Sequence, residues 1–246
     1  MIHYIIHKIN AQFMVIWLHL NVKITFRIDN KNILWYNSLY RRMITMIKNY
    51  IFDFGNVLAN FYPMDLTAPY VKDYEMCKIV SDVVFDRIYW NRLDDGSITD
   101  EEVKAAACAR LPEELKECAC KVYDNWVKTM TPVANMQELI SDIKKTDKKL
   151  YLLSNISIGF ADTYIEVPWI KDILENFDGL VFSGKVGMVK PDRDIFEYIL
   201  SNFSLKADEC LFIDDSPVNI EGAKSVGIKG YLFDGDAQKL RDYLKL

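Results

Sequence analysis

Five short runs rich in apolar residues, each bounded by polar or turn-forming residues, stand out after about residue 46. They occupy residues 49–54, 149–155, 179–182, 210–214 and 230–233. Apolar runs of this length that end at Gly, Asn or Asp are typical of strands buried on both faces of a sheet. The pattern therefore predicts five buried strands.

Amphipathic stretches lie between most of these runs. Apolar residues recur at helical spacing in three of them: Met136, Leu139, Ile140 and Ile143; Ile195, Phe196, Ile199 and Leu200; Ile220, Ala223 and Val226. Gly227 follows the third stretch and predicts a helix end. Strands that alternate with helices predict an α/β fold, a doubly wound parallel sheet covered on both faces. We expect this core to comprise residues 46–61 and 132–246.

The interval between those two segments breaks the alternation, because it contains no convincing buried strand. Thr99 with Glu102 three residues later forms a capping box, which predicts a helix to about Arg110. Pro112 precedes a second predicted helix over residues 113–130. We therefore predict that residues 62–131 form an inserted helical cap.

The first 45 residues differ in composition from the rest. They contain all three His and six basic residues against one acidic residue, a net charge of +5, and neither Gly nor Pro occurs before Gly55. The other 201 residues carry −10, so the chain carries −5. The apolar run at residues 13–18 is shorter than the roughly 20 residues of a membrane span or the about 7–15 of a signal core. We predict an extension outside the fold, with Met43 or Met46 as an alternative start.

Composition excludes several classes of function. Half of the residues are hydrophobic and 26% are charged, which is typical of a globular protein. An acidic chain without a basic tract argues against nucleic acid as a partner. The five Cys are odd in number and lack paired spacing, which predicts reduced thiols in a cytoplasmic protein. Cys118 and Cys120 would lie on different faces of one helix, so we do not expect a metal there.

Polar side chains stand at the carboxyl ends of the predicted strands, where open parallel sheets bind ligands. They are Asp53 after the first strand, Ser154 and Asn155 after the second, Lys190 after the third, and Asp214 with Asp215 after the fourth. Clustered carboxylates repel one another unless a cation is present, and hard oxygen ligands favour Mg²⁺. A neighbouring lysine adds charge for an anionic partner. The set predicts a site for Mg²⁺ and phosphate.

Four strings carry a family resemblance: IFDFGNVL at 51–58, LSN at 153–155, VKP at 189–191 and FIDDS at 212–216. In order and position they resemble the four motifs of the haloacid dehalogenase (HAD) superfamily, and the similarity spans about residues 47–246. Within that superfamily, the strings resemble those of the α-D-glucose-1-phosphate phosphatase-like subfamily. The resemblance implies a Rossmann-like core with a helical cap, and a Mg²⁺-dependent phosphatase acting on a small phosphate monoester, a sugar phosphate being the best match.

The resemblance also implies roles for single residues. Asp53 would attack phosphorus and form an aspartyl-phosphate that water then hydrolyses. Ser154 and the backbone N–H of Asn155 would hold phosphate oxygens, and Lys190 would neutralise charge on the nucleophile and the phosphoryl group.

The metal ligands follow from the same resemblance. Mg²⁺ would be held by Asp53, the carbonyl of Gly55 and Asp215, whereas Asp214 would either bind the metal or support its ligands. Asn219 would help to position the metal-binding loop.

One position departs from the superfamily pattern. Many of its phosphatases carry a second Asp two residues after the nucleophile as general acid/base, and Gly55 stands there in this chain. The resembling subfamily also lacks that Asp, so the identity of the acid/base stays open. A metal-independent haloacid dehalogenase and a non-catalytic phospholigand-binding protein are the alternatives. Three cap residues could contact a sugar: Tyr89, Trp90 and Arg92. The alternative is that Tyr89 and Trp90 pack the core of the cap.

Overall fold

The protein is described by a computed structural model that covers residues 13–18, 22–27 and 47–246. Strands β1 (Phe13–Leu18) and β2 (Val22–Arg27) pair antiparallel. Residues 1–46 and residues 47–246 form two separate compact units. The alternative starts at Met43 and Met46 lie outside the described residues, and the assignment of residues 1–45 to an extension stays a prediction.

A parallel sheet of five strands organises the second unit. The strands of this unit are, in chain order, β3 (Asn49–Phe52), β4 (Ala59–Asn60), β5 (Thr131–Pro132), β6 (Lys149–Ser154), β7 (Gly179–Phe182), β8 (Cys210–Asp214) and β9 (Lys229–Leu232). All of them except β4 and β5 belong to the five-stranded sheet. The sheet has the order β7-β6-β3-β8-β9 and all its pairings are parallel. The five predicted strands are thus confirmed, with bounds that differ by at most two residues.

Helices cover both faces of this sheet. The helices of this unit, including those of the inserted segment, are α1 (Pro63–Thr67), α2 (Tyr74–Val84), α3 (Arg87–Asp94), α4 (Asp100–Ala109), α5 (Glu113–Thr129), α6 (Met136–Lys144), α7 (Ile158–Thr163), α8 (Pro168–Leu174), α9 (Ser183–Val186), α10 (Arg193–Asn202), α11 (Pro217–Ser225) and α12 (Ala237–Leu244). Short 3₁₀ turns at Tyr164–Glu166 and Ala207–Glu209 complete the list. Gly227, with φ +90°, follows α11 as predicted.

Alternation along β3 divides the core between the two faces. Tyr50 and Phe52 pack into one buried cluster with residues of α6 and α12. Ile51, which lies between them, packs into a second cluster with residues of α10 and α11. Successive side chains of a strand point to opposite faces, so a strand that is apolar throughout needs a helical layer on each side. This confirms the doubly wound α/β fold.

Helices α1 to α5 all lie between β4 and β5, which pair antiparallel where the chain leaves and re-enters the core. The capping box is present: the Glu102 N–H donates to Thr99 Oγ1 at 3.2 Å, and the Thr99 N–H donates to Glu102 Oε2 at 2.8 Å. Helix α5 begins directly after Pro112, as its position predicts. We keep the name cap for residues 62–131. No helix of the described residues has the length and apolar character needed to cross a bilayer.

Candidate active site

A cavity of about 590 Å³ opens at the carboxyl ends of β3, β6 and β8, with the cap on its other side. From the core it is lined by most of the residues that the sequence predicts: Asp53, Gly55, Ser154, Asn155, Lys190, Asp215 and Asn219. The cap contributes mainly Arg87, Trp90, Asn91, Asp94, Asp95 and Trp126. Asp214 lies behind this lining and is fully buried.

Lys190 lies at the centre of the charged groups. Its Nζ is 2.7 Å from Asp53 Oδ1 and 2.8 Å from Asp214 Oδ2, and its side chain is only 1% exposed. Burial lowers the pKa of Lys190, but the charges of the two carboxylates outweigh that effect and raise the pKa above its usual value. Lys190 is therefore a buried cation shared by two acids.

The two oxygens of Asp53 have different surroundings. Oδ1 is contacted by Lys190 Nζ and accepts the backbone N–H of Phe54 at 2.7 Å, whereas none of the described residues donates to Oδ2. Burial raises the pKa of Asp53 to about 7, although Lys190 opposes the shift. One oxygen is thus fixed in place, and the other remains available to an electrophile or a cation.

Asp214 uses its hydrogen-bonding capacity within the protein. Oδ1 accepts the Ser216 N–H at 2.8 Å, Oδ2 accepts Lys190 Nζ, and Asn219 Nδ2 lies 3.1 Å from both oxygens. A carboxylate with these partners would have to give some of them up in order to bind a metal directly. The contacts favour the supporting role for Asp214, in which it fixes Lys190.

Asp215 has a different environment, since it lines the cavity and accepts a side-chain hydrogen bond from Asn56 Nδ2 at 3.2 Å. Burial raises the pKa of Asp215, and the Asn56 bond opposes this shift. Asn56 also accepts the Phe61 N–H at 3.0 Å and has φ +54°, a left-handed conformation that Asn tolerates. Sequence analysis missed Asn56, although an Asn directly after Gly55 is a turn signal.

The donor set fits a hard divalent cation. Oxygens of Asp53, Asp214 and Asp215 lie within 4.8 Å of one another, the one group of this kind among the described residues. Lys190 alone does not balance three carboxylates, so the cluster retains an excess of negative charge. Oxygen ligands with excess negative charge favour Mg²⁺ or Ca²⁺ over softer metals.

Asn155 holds Lys190 through two reciprocal bonds. Its Nδ2 donates to the Lys190 carbonyl at 2.9 Å, and its Oδ1 accepts the Lys190 N–H at 2.8 Å. Sequence analysis gave only the backbone of Asn155 a role, because 35 positions separate the two residues and no local pattern joins them. Ser154, at the end of β6, lines the cavity and is 2% exposed.

An aromatic wall closes the cap side of the cavity. The rings of Trp90 and Trp126 lie 5.2 Å apart, and Phe61 lies 5.5 Å from Trp90 and 5.8 Å from Trp126. Trp90 therefore packs the cap core and lines the cavity as well. Of the other two cap residues singled out in the sequence, Tyr89 packs beneath the guanidinium of Arg110, and neither it nor Arg92 lines the described cavity.

Comparison with known proteins identifies the family of the chain. Residues 50–232 match the family described as haloacid dehalogenase-like hydrolase. A sesquiterpene phosphatase of Aspergillus oryzae is 26% identical over 188 residues, which cover 76% of this chain and 90% of that protein. D-ribitol-5-phosphate phosphatase of Bacteroides thetaiotaomicron is 24% identical over 200 residues, which cover 76% and 91%.

Solved structures share the fold. A HAD family enzyme of Bacteroides thetaiotaomicron, crystallised with magnesium and inorganic phosphate, superposes with a TM-score of 0.58 at 20% identity, covering 79% of this chain and 98% of that one. The family match spans most of the chain and includes every strand-end residue considered above. The chain belongs to the haloacid dehalogenase-like hydrolases and is an enzyme of that family.

Proposed function

We propose that this enzyme is a Mg²⁺-dependent phosphatase that hydrolyses a small phosphate monoester through an aspartyl-phosphate on Asp53. The observation that carries the proposal is the asymmetric setting of Asp53, with Oδ1 fixed by Lys190 and Oδ2 available at the cavity. Oδ2 attacks phosphorus, and Lys190 balances the charge that accumulates on the phosphoryl oxygens. The Ser154 hydroxyl and the Asn155 N–H hold those oxygens in line.

The metal would be held by Asp53, Asp215 and the carbonyl of Gly55, with Asp214 supporting Lys190. When bound, Mg²⁺ reduces the repulsion between a carboxylate nucleophile and an anionic phosphate. Asn56 orients the Asp215 carboxylate through the hydrogen bond that its Nδ2 donates. Asn219 Nδ2 contacts both oxygens of Asp214 and so helps to keep that carboxylate beside the Lys190 ammonium.

The wall of the cavity supports a sugar or polyol phosphate as substrate. Trp90 and Trp126 offer apolar ring faces, while Arg87, Asn91 and Asp95 offer polar groups on the cap side. Hydroxyl-rich rings and chains bind well where aromatic faces and hydrogen-bonding groups are combined. A cavity for an apolar terpenoid alcohol would not need this polar rim. A cytoplasmic location is proposed from the odd number of Cys and their lack of paired spacing.

The test is turnover of p-nitrophenyl phosphate and of a panel of sugar, polyol and prenyl monophosphates, with Mg²⁺ and with EDTA. We expect turnover that requires Mg²⁺ and is abolished by Asp53→Asn. Asp82→Asn is the matched control, because Asp82 is an exposed acid of the cap that pairs with Lys78 and does not line the described cavity. No turnover of any monoester, or turnover that survives Asp53→Asn, would contradict the proposal.

Two results would favour the alternatives instead. Metal-independent release of halide from a 2-haloacid would indicate a dehalogenase, which the excess of carboxylates at Asp53, Asp214 and Asp215 disfavours. Tight binding of a sugar phosphate without turnover would indicate a phospholigand-binding protein.

A further inference from the structure

The proposed reaction needs a proton donor that the sequence motif does not supply. The leaving alkoxide requires a proton, and Gly55 has no side chain with which to provide it. No His occurs after His19. The titratable side chains that line the described cavity are Asp53, Arg87, Asp94, Asp95, Lys190 and Asp215. Asp53 is the nucleophile, Lys190 is held between two acids, Asp215 belongs to the metal group, and an arginine does not release its proton.

Of the two remaining acids, only one is buried. Asp94, in the last turn of α3, is 7% exposed, and no described residue donates a hydrogen bond to its carboxylate. Asp95, by contrast, is more exposed, and its Oδ1 accepts the Ser97 N–H at 2.8 Å. A buried carboxyl without a hydrogen-bond donor lowers the stability of the free protein. Such a carboxyl is also available to exchange a hydrogen bond or a proton with a bound ligand.

The charged groups around Asp94 act in opposite directions. Burial has the largest effect and disfavours the charged carboxylate. Arg87 and Lys190 favour the carboxylate, and Asp95 disfavours it, each by a smaller amount. The result raises the pKa of Asp94 to about 7. Both protonation states are therefore accessible near neutral pH, as a group that gives and then recovers a proton requires.

The cap segment that carries Asp94 is anchored to the core beside the cavity. The Asp94 carbonyl accepts the Ser183 hydroxyl at 2.5 Å, and the same hydroxyl oxygen accepts the Ile156 N–H at 2.8 Å. Gly96 has φ +75°, and a Cβ there would lie 2.7 Å from the carbonyl oxygen of Gly184. These contacts hold Asp94 on the same cavity that Asp53 lines.

We propose that Asp94 is the general acid and base of this enzyme, supplied by the cap in place of the missing core Asp. The assignment rests on the proposed phosphatase function and deepens it. In the first step Asp53 Oδ2 bonds to phosphorus, the bond from phosphorus to the ester oxygen breaks, and the Asp94 carboxyl gives its proton to that oxygen. In the second step the Asp94 carboxylate takes a proton from the attacking water as the bond between Asp53 and phosphorus breaks, releasing phosphate.

Asp94→Asn tests this role through the leaving group. A sugar or polyol alkoxide needs the proton, whereas p-nitrophenolate leaves well without it. We expect kcat/KM to fall by about 10²–10⁴-fold with the best alkyl phosphate of the panel, and by less than about 10-fold with p-nitrophenyl phosphate. Because the second step also loses its base, we expect a rapid burst of p-nitrophenol while the aspartyl-phosphate accumulates. Asp94→Glu should recover part of the lost kcat/KM, and Asp82→Asn should leave kcat/KM unchanged with both substrates.

Equal losses with both leaving groups and no burst would overturn the proposal, since a merely structural residue would affect both alike. Thermal unfolding identifies a misfolded variant, in which case Asp94→Ser is measured with the same two substrates. If the wild-type enzyme turns over no phosphate monoester, the proposed function itself is wrong. If the wild type is active but Asp94→Asn loses the same factor in kcat/KM with both leaving groups, only the role of Asp94 is wrong.

Discussion

Replacing Lys190 by Met would leave two buried carboxylates without the cation they share. At 2.7 and 2.8 Å, each ion pair is worth about 6 kcal/mol in Coulomb energy at an effective dielectric constant of about 20. The side chains of Lys190, Asp53 and Asp214 are 1%, 11% and 0% exposed, so the cost of removing these charges from water cancels much of this energy in the intact protein. In the variant, both carboxylates still lose their hydration on folding, but the cation that offsets this free-energy cost is gone.

We therefore expect Lys190→Met to lower the free energy of unfolding of the metal-free protein by about 3–5 kcal/mol near pH 8. In a domain of this size that corresponds to a fall in Tm of about 10 °C. The loss should shrink as the pH falls. In the wild type, burial raises the pKa of Asp53 to about 7, and Lys190 opposes this shift. Without Lys190, we expect the pKa of Asp53 to rise further. A folded-state pKa above the unfolded value means that the folded variant takes up a proton as the pH falls, which restores stability.

The assay is urea unfolding in EDTA at about pH 8 and about pH 5.5. Lys78→Met is the matched control, because Lys78 forms an exposed pair with Asp82 and should change stability by less than about 0.5 kcal/mol. Adding Asp214→Asn to Lys190→Met should recover part of the loss by removing one unpaired charge. A loss below about 1 kcal/mol at the higher pH, or one that grows at the lower pH, would refute the reasoning.

Substitutions of Asp215, Asn155 and Gly96 test the metal group, the Lys190 contacts and the cap loop. Asp215→Asn should abolish the rise in Tm that millimolar Mg²⁺ gives the wild type, measured by differential scanning fluorimetry, while the Tm in EDTA stays within a few degrees because Asp215 is not in the central ion pairs. Asn155→Ala removes both bonds to the Lys190 backbone, so urea unfolding should show a loss of about 1–3 kcal/mol and kcat should fall more than KM changes. Gly96→Ala places a Cβ against the Gly184 carbonyl at a positive φ, and should cost about 1–3 kcal/mol in urea and lower kcat; an unchanged variant would mean that the cap loop is not held there.

The strand-end residues could be predicted because their signals are local. Asp53 and Asp215 each follow a run of apolar residues, and the strand bounds found in the structure differ from the predicted ones by at most two positions. The capping box at Thr99 is equally local, and it is present as predicted. Patterns of this kind depend on side-chain period and turn chemistry, which operate over a few residues.

The contacts that sequence analysis missed join residues that are far apart in the chain. The clamp of Asn155 on Lys190 spans 35 positions, and the bond from Asn56 to Asp215 spans 159. The supporting role of Asp214 likewise could not be predicted without knowing where Lys190 lies in the folded protein. No pattern in the chain relates such partners, because the folding of the sheet brings them together and nothing else constrains their spacing.

By itself, the sequence determined the parallel α/β core, the inserted helices and the carboxylate group at one end of the sheet. Each of these is specified by local periodicity together with the rule that parallel strands end at a common edge. The tertiary structure alone decided how that group is used: which oxygen of Asp53 is held, which acid supports Lys190, and which cap acid meets the cavity without a partner. Those outcomes depend on burial and on contacts between distant segments, since the same carboxyl is a surface charge, a ligand or a proton donor according to what surrounds it.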